Sequence, residues 1–340
     1  MSIDFIKKWW KGLLYEPNQP PRKISRVKIV VIGGGTGLSV LLRGLKQYSD
    51  NITAVVAVTD DGASSGLIKK EFDTLPPGDV RKCISALAKD EKLISKIMEY
   101  RFSEGKSGLS GHTLGNIWIA ALTKYFGSFA KAVQATTEIF ETAGKVIPAT
   151  LEKVDLCAKY KKHTSIIGES NIPKPGKRIT GVYLSKDNVR ANPKAVAEIN
   201  RADMIIFGPG SLYTSVIPNL LIPGIAKAIR ENSDSLNIYV CNCSTERGET
   251  ENYLVADHIK AIFNHIGGRC FDYCMVNSKI VKKSAIQSEL GNINNITTKE
   301  NEIEGVKIVR ADLLNSKNPL YHDSNKLAKA VITLYNRTVS

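Results

Sequence analysis

The sequence predicts an α/β protein, a Rossmann-like doubly wound and mostly parallel sheet carrying a small β-hairpin insertion. Three observations predict it. Short runs of apolar and β-branched residues, at 27–32, 52–58, 204–207 and 236–240, are separated by stretches with helical spacing. Two of these runs end in glycine-rich turns, Gly33, Gly34, Gly35 and Gly37 after the first and Gly208 and Gly210 after the third. The second run ends in an acidic turn, Thr59-Asp60-Asp61-Gly62. In an open α/β sheet, turns of these kinds at the carboxyl ends of strands face a ligand crevice.

The first unit, VKIVVIGGGTGLSVLLRGL over residues 27–45, organises the rest. Strand, glycine turn and helix in that order bring a helix N-terminus beside a strand's carboxyl end. Backbone N–H groups and the positive end of the helix dipole then suit a phosphate. The glycines, with Thr36 among them, let the backbone approach it without a Cβ in the way. The motif is neither a dinucleotide fingerprint, since Leu38 occupies the third glycine position, nor a Walker loop, since no Gly-Lys-Ser/Thr closes it.

Composition narrows the classes. Of 340 residues, 43% are apolar and 24% charged, values of a folded globular chain. The net charge of +14 is compatible with a phosphorylated ligand, nucleic acid or anionic lipid. No basic block interleaved with aromatics, C₂H₂ spacing or helix-turn-helix signal accompanies it, so no nucleic-acid partner is expected. Six cysteines without metal-ligand spacing read as reduced core thiols, which points to the cytoplasm. No apolar run reaches the ~20 residues of a membrane span.

Residues 1–26 form a separate N-terminal segment and Pro-rich linker, with residues 27–340 as a single nucleotide-binding domain. Ile6, Trp9, Trp10, Leu13 and Leu14 recur at helical spacing among Lys7, Lys8 and Lys11. Residues 3–14 therefore suit either a membrane surface or a packing partner.

After the second strand, Asp60 stands where a Rossmann fold meets a ribose, and Asp60 with Asp61 could hold Mg²⁺ beside a diphosphate. Ser64 and Ser65 follow, and a capped turn is the other reading of the whole stretch. Asp79, in LPPGDVRKC, is expected to N-cap a helix through about residue 88. A further helical segment runs to about residue 100. His112 and Asn116, in GHTLGN, open an apolar helix to residue 126, His112 being an acid–base or phosphate-binding candidate or a structural donor. Another helix is expected from Ser128 to a left-handed stop at Gly144. An insertion at about 148–184 holds strand-like runs at 154–160, 164–167 and 179–184. The strand at 204–207 leads into Gly208-Pro209-Gly210-Ser211, then Tyr213, Thr214, Ser215 and Asn219, a second ligand loop beside the first. Strands at 236–240, 271–276 and 306–309 and a closing helix at 324–335 complete the pattern, with Arg310 at the end of the final strand.

Taken together, VVIGGGTGLSVLLRGL, TDDGASSG, LPPGDVRKC, GHTLGN, GESNIP, FGPGSLYTSVIPNL and VRADLL resemble the bacterial gluconeogenesis factor family, within the 2-phospho-L-lactate transferase-like superfamily. The resemblance runs from about Val27 to the C-terminal helix. It implies a nucleotide site at the carboxyl edge of the sheet, with the glycine loop and Asp60 on the nucleotide side. It also implies that Asp79 stands where transferases touch the acceptor, and that residues 208–215 form the second ligand loop. Ala63 replaces the glycine of a DDGGSSG version, and Ser244-Thr245-Glu246-Arg247 departs from an MTQP-type stretch. The transferase branch moves phospholactate from a guanosine diphosphate carrier to a deazaflavin, with a divalent metal. The gluconeogenesis factor branch is associated with UDP-sugar binding, cell-wall precursor supply and cell shape during growth on gluconeogenic carbon sources. The expectation is a regulator that binds UDP-N-acetylglucosamine, with Mg²⁺ the one cofactor considered. A regulated enzyme and a second copy of the chain are its candidate protein partners. A transferase is the alternative.

Overall fold

In a computed structural model that describes residues 24–103, 105, 108–161, 164–281 and 293–339, an eight-stranded sheet organises the chain. The amphipathic run 3–14 lies outside the described residues. The strands are β1 (Ile29–Gly33), β2 (Ile52–Val56), β3 (Lys145–Pro148), β7 (Met204–Phe207), β8 (Leu236–Val240), β9 (Tyr273–Asn277), β10 (Glu302–Ile303) and β11 (Val306–Ala311). Their order is β10-β11-β9-β8-β7-β1-β2-β3, parallel except for the β10–β11 edge pair. The fold is thus α/β and doubly wound.

Alternation along each strand explains the winding. Ile29 and Val31 pack with Leu38, Leu41 and Leu42 of helix α1 (Gly35–Leu45) and with Leu327 and Val331 of the closing helix Ser324–Val339. Val30 and Ile32 face the other way, onto a core that includes Ile199, Ile225, Ile229 and Ile262. A strand whose successive side chains point to opposite faces must be apolar throughout when helices cover both. IVVIG satisfies that requirement, and all five residues are buried.

Chain order reverses at β1. From β1 the chain runs outward through β2 and β3, then returns to lay β7 on the other side of β1. The carboxyl ends of β1 and β7 therefore sit side by side, leaving a crevice between loops that diverge. Between β3 and β7 the insertion forms three antiparallel strands, β4 (Leu156–Tyr160), β5 (Ser165–Ile167) and β6 (Ile179–Leu184), in the order β5-β4-β6. The third strand extends the expected hairpin.

Two expected boundaries are corrected. The helix starting after Ser128 ends at Ile139, not at Gly144, whose φ of +148° is not the left-handed stop. Asp79 is not an N-cap: Pro77 holds that place, and Asp79 lies inside the first turn of helix α3, Gly78–Leu87. All six cysteines are buried thiols. Among the described residues no single helix is long and apolar enough to cross a membrane.

Candidate functional site

A cleft of about 480 Å³ opens at the carboxyl ends of β1 and β7, within the range of small-molecule sites. Its floor is the two glycine turns. Gly34, Gly35, Thr36 and Gly37 line one side, and Pro209, Gly210, Ser211 and Ser215 the other. The turns touch closely enough to require glycine. A Cβ on Gly37 would come within 2.6 Å of the Pro209 carbonyl oxygen. Gly35 adopts a left-handed φ of +69°, which turns the chain from β1 into α1. Asn219 ties the turns together, its Nδ2 donating to the Gly33 carbonyl at 3.1 Å and the Ser215 carbonyl at 2.8 Å.

Towards β2 the wall is charged. Asp60, Asp79, Lys82 and Glu169 all border the cleft. Asp79 is buried, and its carboxylate accepts from Lys82 Nζ at 3.2 Å. Burial raises the Asp79 pKa, with Lys82 opposing and Asp60 adding to the rise. Burial works against the Lys82 charge, but Asp79 and Asp60 outweigh it and raise its pKa. Glu169 comes from the insertion and accepts from Thr59 Oγ1 at 3.3 Å. Burial, then the charges of Asp79 and Asp60, push its pKa well up.

Asp60 and Asp61 part company. Asp60 Oδ1 accepts from the Gly62 N–H at 2.9 Å beside the cleft, whereas Asp61 Oδ1 accepts from the Ser170 N–H at 2.7 Å and anchors the insertion. Among the described residues no three His, Cys, Asp or Glu side chains form a metal-binding group. Of the pair, only Asp60 offers Mg²⁺ a carboxylate at the cleft, which fits an ion that takes most of its ligands from water and phosphate.

Towards β8 the wall comprises Asn242 to Arg247, Ile293 and Leu320 to His322. Loops from three parts of the chain are stitched there. Thr245 N–H donates to the Asn294 carbonyl and Asn294 N–H returns to Thr245 Oγ1, both at 2.9 Å, while Ser244 Oγ donates to the Leu320 carbonyl at 3.4 Å. Glu246 Oε1 accepts from Ser211 Oγ at 3.0 Å, and Glu249 Oε1 from Thr214 Oγ1 at 3.1 Å. Burial pushes the Glu246 pKa up to about 7. Burial and the neighbouring Glu246 push that of Glu249 up to about 8.

Several residues singled out from the sequence support the site from outside it. Ser64 Oγ accepts from the Thr113 N–H at 3.1 Å and from Asn116 Nδ2 at 2.9 Å, and Asn116 Oδ1 accepts from Arg81 Nε at 3.0 Å. Ser65 is buried beside Asn116. This network pins helix α3 to the helix Leu114–Phe126. His112 lies 3.4 Å from Glu71, away from the cleft lining. The Tyr213 hydroxyl meets that of Tyr253 at 2.7 Å, and Arg310 donates to the Glu300 carbonyl at 2.5 Å. The cleft residues that motif reading missed include Lys82, Glu169, Glu246 and His322. Their only signal was position: Glu169 lies in GESNIP and Glu246 in the polar loop after the 236–240 strand.

The 2-phospho-L-lactate transferase CofD family profile matches residues 29–314. The gluconeogenesis factor of Halalkalibacterium halodurans is 38% identical over 93% of this chain and 99% of its own length. That of Bacillus subtilis is 39% identical, over 91% of this chain and 98% of its own. A crystal structure of a UPF0052 family protein from Bacillus halodurans superposes with a TM-score of 0.85 at 38% identity, covering 90% of this chain and 98% of that one.

Proposed function

The chain belongs to the gluconeogenesis factor family of the 2-phospho-L-lactate transferase CofD superfamily, and on that premise we propose that it binds a nucleotide sugar, UDP-N-acetylglucosamine, and acts as a regulator. The observation that carries the reading is the meeting of two glycine turns at the β1–β7 switch point, where Gly37 has no room for a side chain against Pro209. A diphosphate fits such a floor, because backbone N–H groups and the α1 dipole meet its charge without side chains intervening. The walls to either side then take the two ends of the ligand. In this reading the occupied protein controls the supply of cell-wall precursors, and so cell shape, in the cytoplasm during growth on gluconeogenic carbon. It does so through an enzyme partner that senses the filled cleft. Residues 3–14 add contact with an anionic membrane surface.

Titration calorimetry tests the binding step. UDP-N-acetylglucosamine is expected to bind and NADH not to. Ligand at a hundred times its Kd is then expected to stabilise the fold by about 2.7 kcal/mol. Tight NADH binding without UDP-sugar binding overturns the reading.

One observation favours the transferase alternative: a buried carboxylate paired with a lysine, Asp79 and Lys82, faces the cleft. In that reading Asp79 orients an acceptor hydroxyl, Lys82 meets the transferred phosphoryl charge, and Asp60 would hold Mg²⁺, which would supply charge to offset the diphosphate. Turnover of a phospholactyl guanosine diphosphate with a deazaflavin acceptor would decide for it.

A further inference from the structure

Among the described residues, the lysine and arginine side chains that line the cleft are Lys82 and Arg247, and they stand on opposite walls. Lys82 is committed, since its ammonium meets the buried Asp79 carboxylate at 3.2 Å. Arg247 is not. It is exposed, and among the described residues its guanidinium has no hydrogen bond or ion pair.

The turn that carries Arg247 is nevertheless held on several sides. The Thr250 N–H donates to the Glu246 carbonyl at 2.9 Å, and the Glu246 N–H donates to Thr250 Oγ1 at 2.8 Å. Gly248 follows at a left-handed φ of +81° and presses against the insertion, where a Cβ would come within 2.2 Å of the Pro173 carbonyl oxygen. Three bonds then tie the loop to the second glycine turn and the π-helical turn after it. The Gly210 N–H donates to Asn242 Oδ1 at 3.3 Å, Ser211 Oγ to Glu246 Oε1 at 3.0 Å and Thr214 Oγ1 to Glu249 Oε1 at 3.1 Å. Arg247 is therefore a free cation on a backbone that is fixed to the floor of the cleft. Folding has already ordered that backbone, so binding has only the side chain left to order.

Charge across the cleft says what the guanidinium meets. On the β2 wall Asp60 and Asp79 outnumber Lys82. On the β8 wall Arg247 stands beside one carboxylate, Glu246, whose pKa burial pushes up to about 7, so that it is part-protonated at neutral pH. The more positive wall is that of Arg247, and an anion on the glycine floor is drawn towards it. A planar guanidinium presents paired N–H donors that match two oxygens of one phosphate.

Resting on the nucleotide-sugar reading, we propose that Arg247 clamps the diphosphate from the β8 side, its guanidinium donating to the phosphate that lies on the Pro209–Ser211 turn.

The test is calorimetric titration of the full chain, as wild type, Arg247→Ala and Arg247→Lys, with UDP-N-acetylglucosamine and with UDP. Arg247→Ala is expected to lose about tenfold in affinity for both ligands, because the diphosphate is what they share. Its remaining affinity is expected to fall less steeply with added salt than that of the wild type. Arg247→Lys returns the charge without the planar fork and is expected to recover part of the loss. The side chain is exposed and unpaired, so urea denaturation of both variants is expected to match the wild type, and a fall in affinity is then a lost contact. Unchanged affinity in Arg247→Ala, or a loss for UDP-N-acetylglucosamine that spares UDP, overturns the inference. In either case, binding by the wild type leaves the nucleotide-sugar reading standing. A wild type that binds neither ligand overturns both.

Discussion

Asp79 lies so close to Gly34 that a methyl group on the glycine would sit 2.6 Å from its Oδ2. The two residues come from the β1 turn and from helix α3, and their contact is what presses the acidic wall against the glycine floor of the cleft. Gly34 itself has an extended φ of −172°, so the need for glycine here is one of space and not of backbone strain.

Gly34→Ala is therefore expected to fold but to displace the Asp79 carboxylate into the cleft. Overpacking of this kind costs about 1–3 kcal/mol. UDP-N-acetylglucosamine affinity is expected to fall at least about tenfold, as measured by titration calorimetry. Unchanged affinity would mean that the phosphate lies elsewhere.

Asp79→Asn probes charge at nearly constant shape. The carboxylate lies beside Gly34 and Gly35, at the helix end that the proposal gives to a phosphate. Its raised pKa shows that the site already resists a negative charge there. Asparagine imitates the protonated form, so binding of the anionic ligand is expected to be kept or tightened a few-fold. Any phospholactyl transfer is expected to stop. Lost binding with retained turnover would contradict both assignments.

A third expectation concerns pH. The folded pKa values of Glu246 and Glu249, about 7 and about 8, lie above the ordinary 4.5. The folded protein thus holds protons that the unfolded chain has released. The stability this confers is complete below pH 4.5 and is lost as pH rises through 7 to 8. Glu249→Gln keeps an amide oxygen for Thr214 and removes the ionisation. Urea denaturation is expected to show the variant more stable than the wild type at pH 8.5 by about 1–3 kcal/mol, with the gap closing near pH 5. A gap of the same size at both pH values would reject the assignment.

The central sheet and its glycine turns were legible because they depend on local pattern. The runs at 204–207 and 236–240 are bounded by charge and by turn residues, and both strands form at those limits. β3 was not recognised, because its four residues end in a proline and lie at a sheet edge with weaker apolar demand. Asp79 could have capped a helix or faced a cleft. Only the approach of Gly34, 45 positions earlier in the chain, decides between them. Tyr213 and Arg310 were chosen for their neighbours in sequence, yet a side chain's direction follows from the turn that carries it. Residues 212–216 form a single π-helical turn that aims Tyr213 at Tyr253 and leaves Ser211 and Ser215 on the cleft. Glu246 and His322 carry no motif, and Lys82 sits unmarked inside LPPGDVRKC. Their place depends on which strands become neighbours.

The last prediction concerns Asn219, which is fully buried and bonds to both turns at once. Its Nδ2 donates to carbonyl oxygens of Gly33 and Ser215, residues 182 positions apart in the chain, so it sets the spacing of the cleft floor. The Gly33 carbonyl also accepts from the Ala57 N–H at 3.0 Å and keeps a partner when Asn219 is truncated. Asn219→Ala is accordingly expected to cost about 2 kcal/mol in urea denaturation, from lost hydrogen bonds and a small cavity. Asn219→Asp is the sharper comparison. It preserves volume but turns an acceptor and a buried charge towards two carbonyl oxygens, so it is expected to destabilise more than alanine does. If the aspartate variant were as stable as the wild type, the donor role would be wrong. If both variants folded and bound UDP-N-acetylglucosamine as tightly as the wild type, Asn219 would hold the core and not the floor.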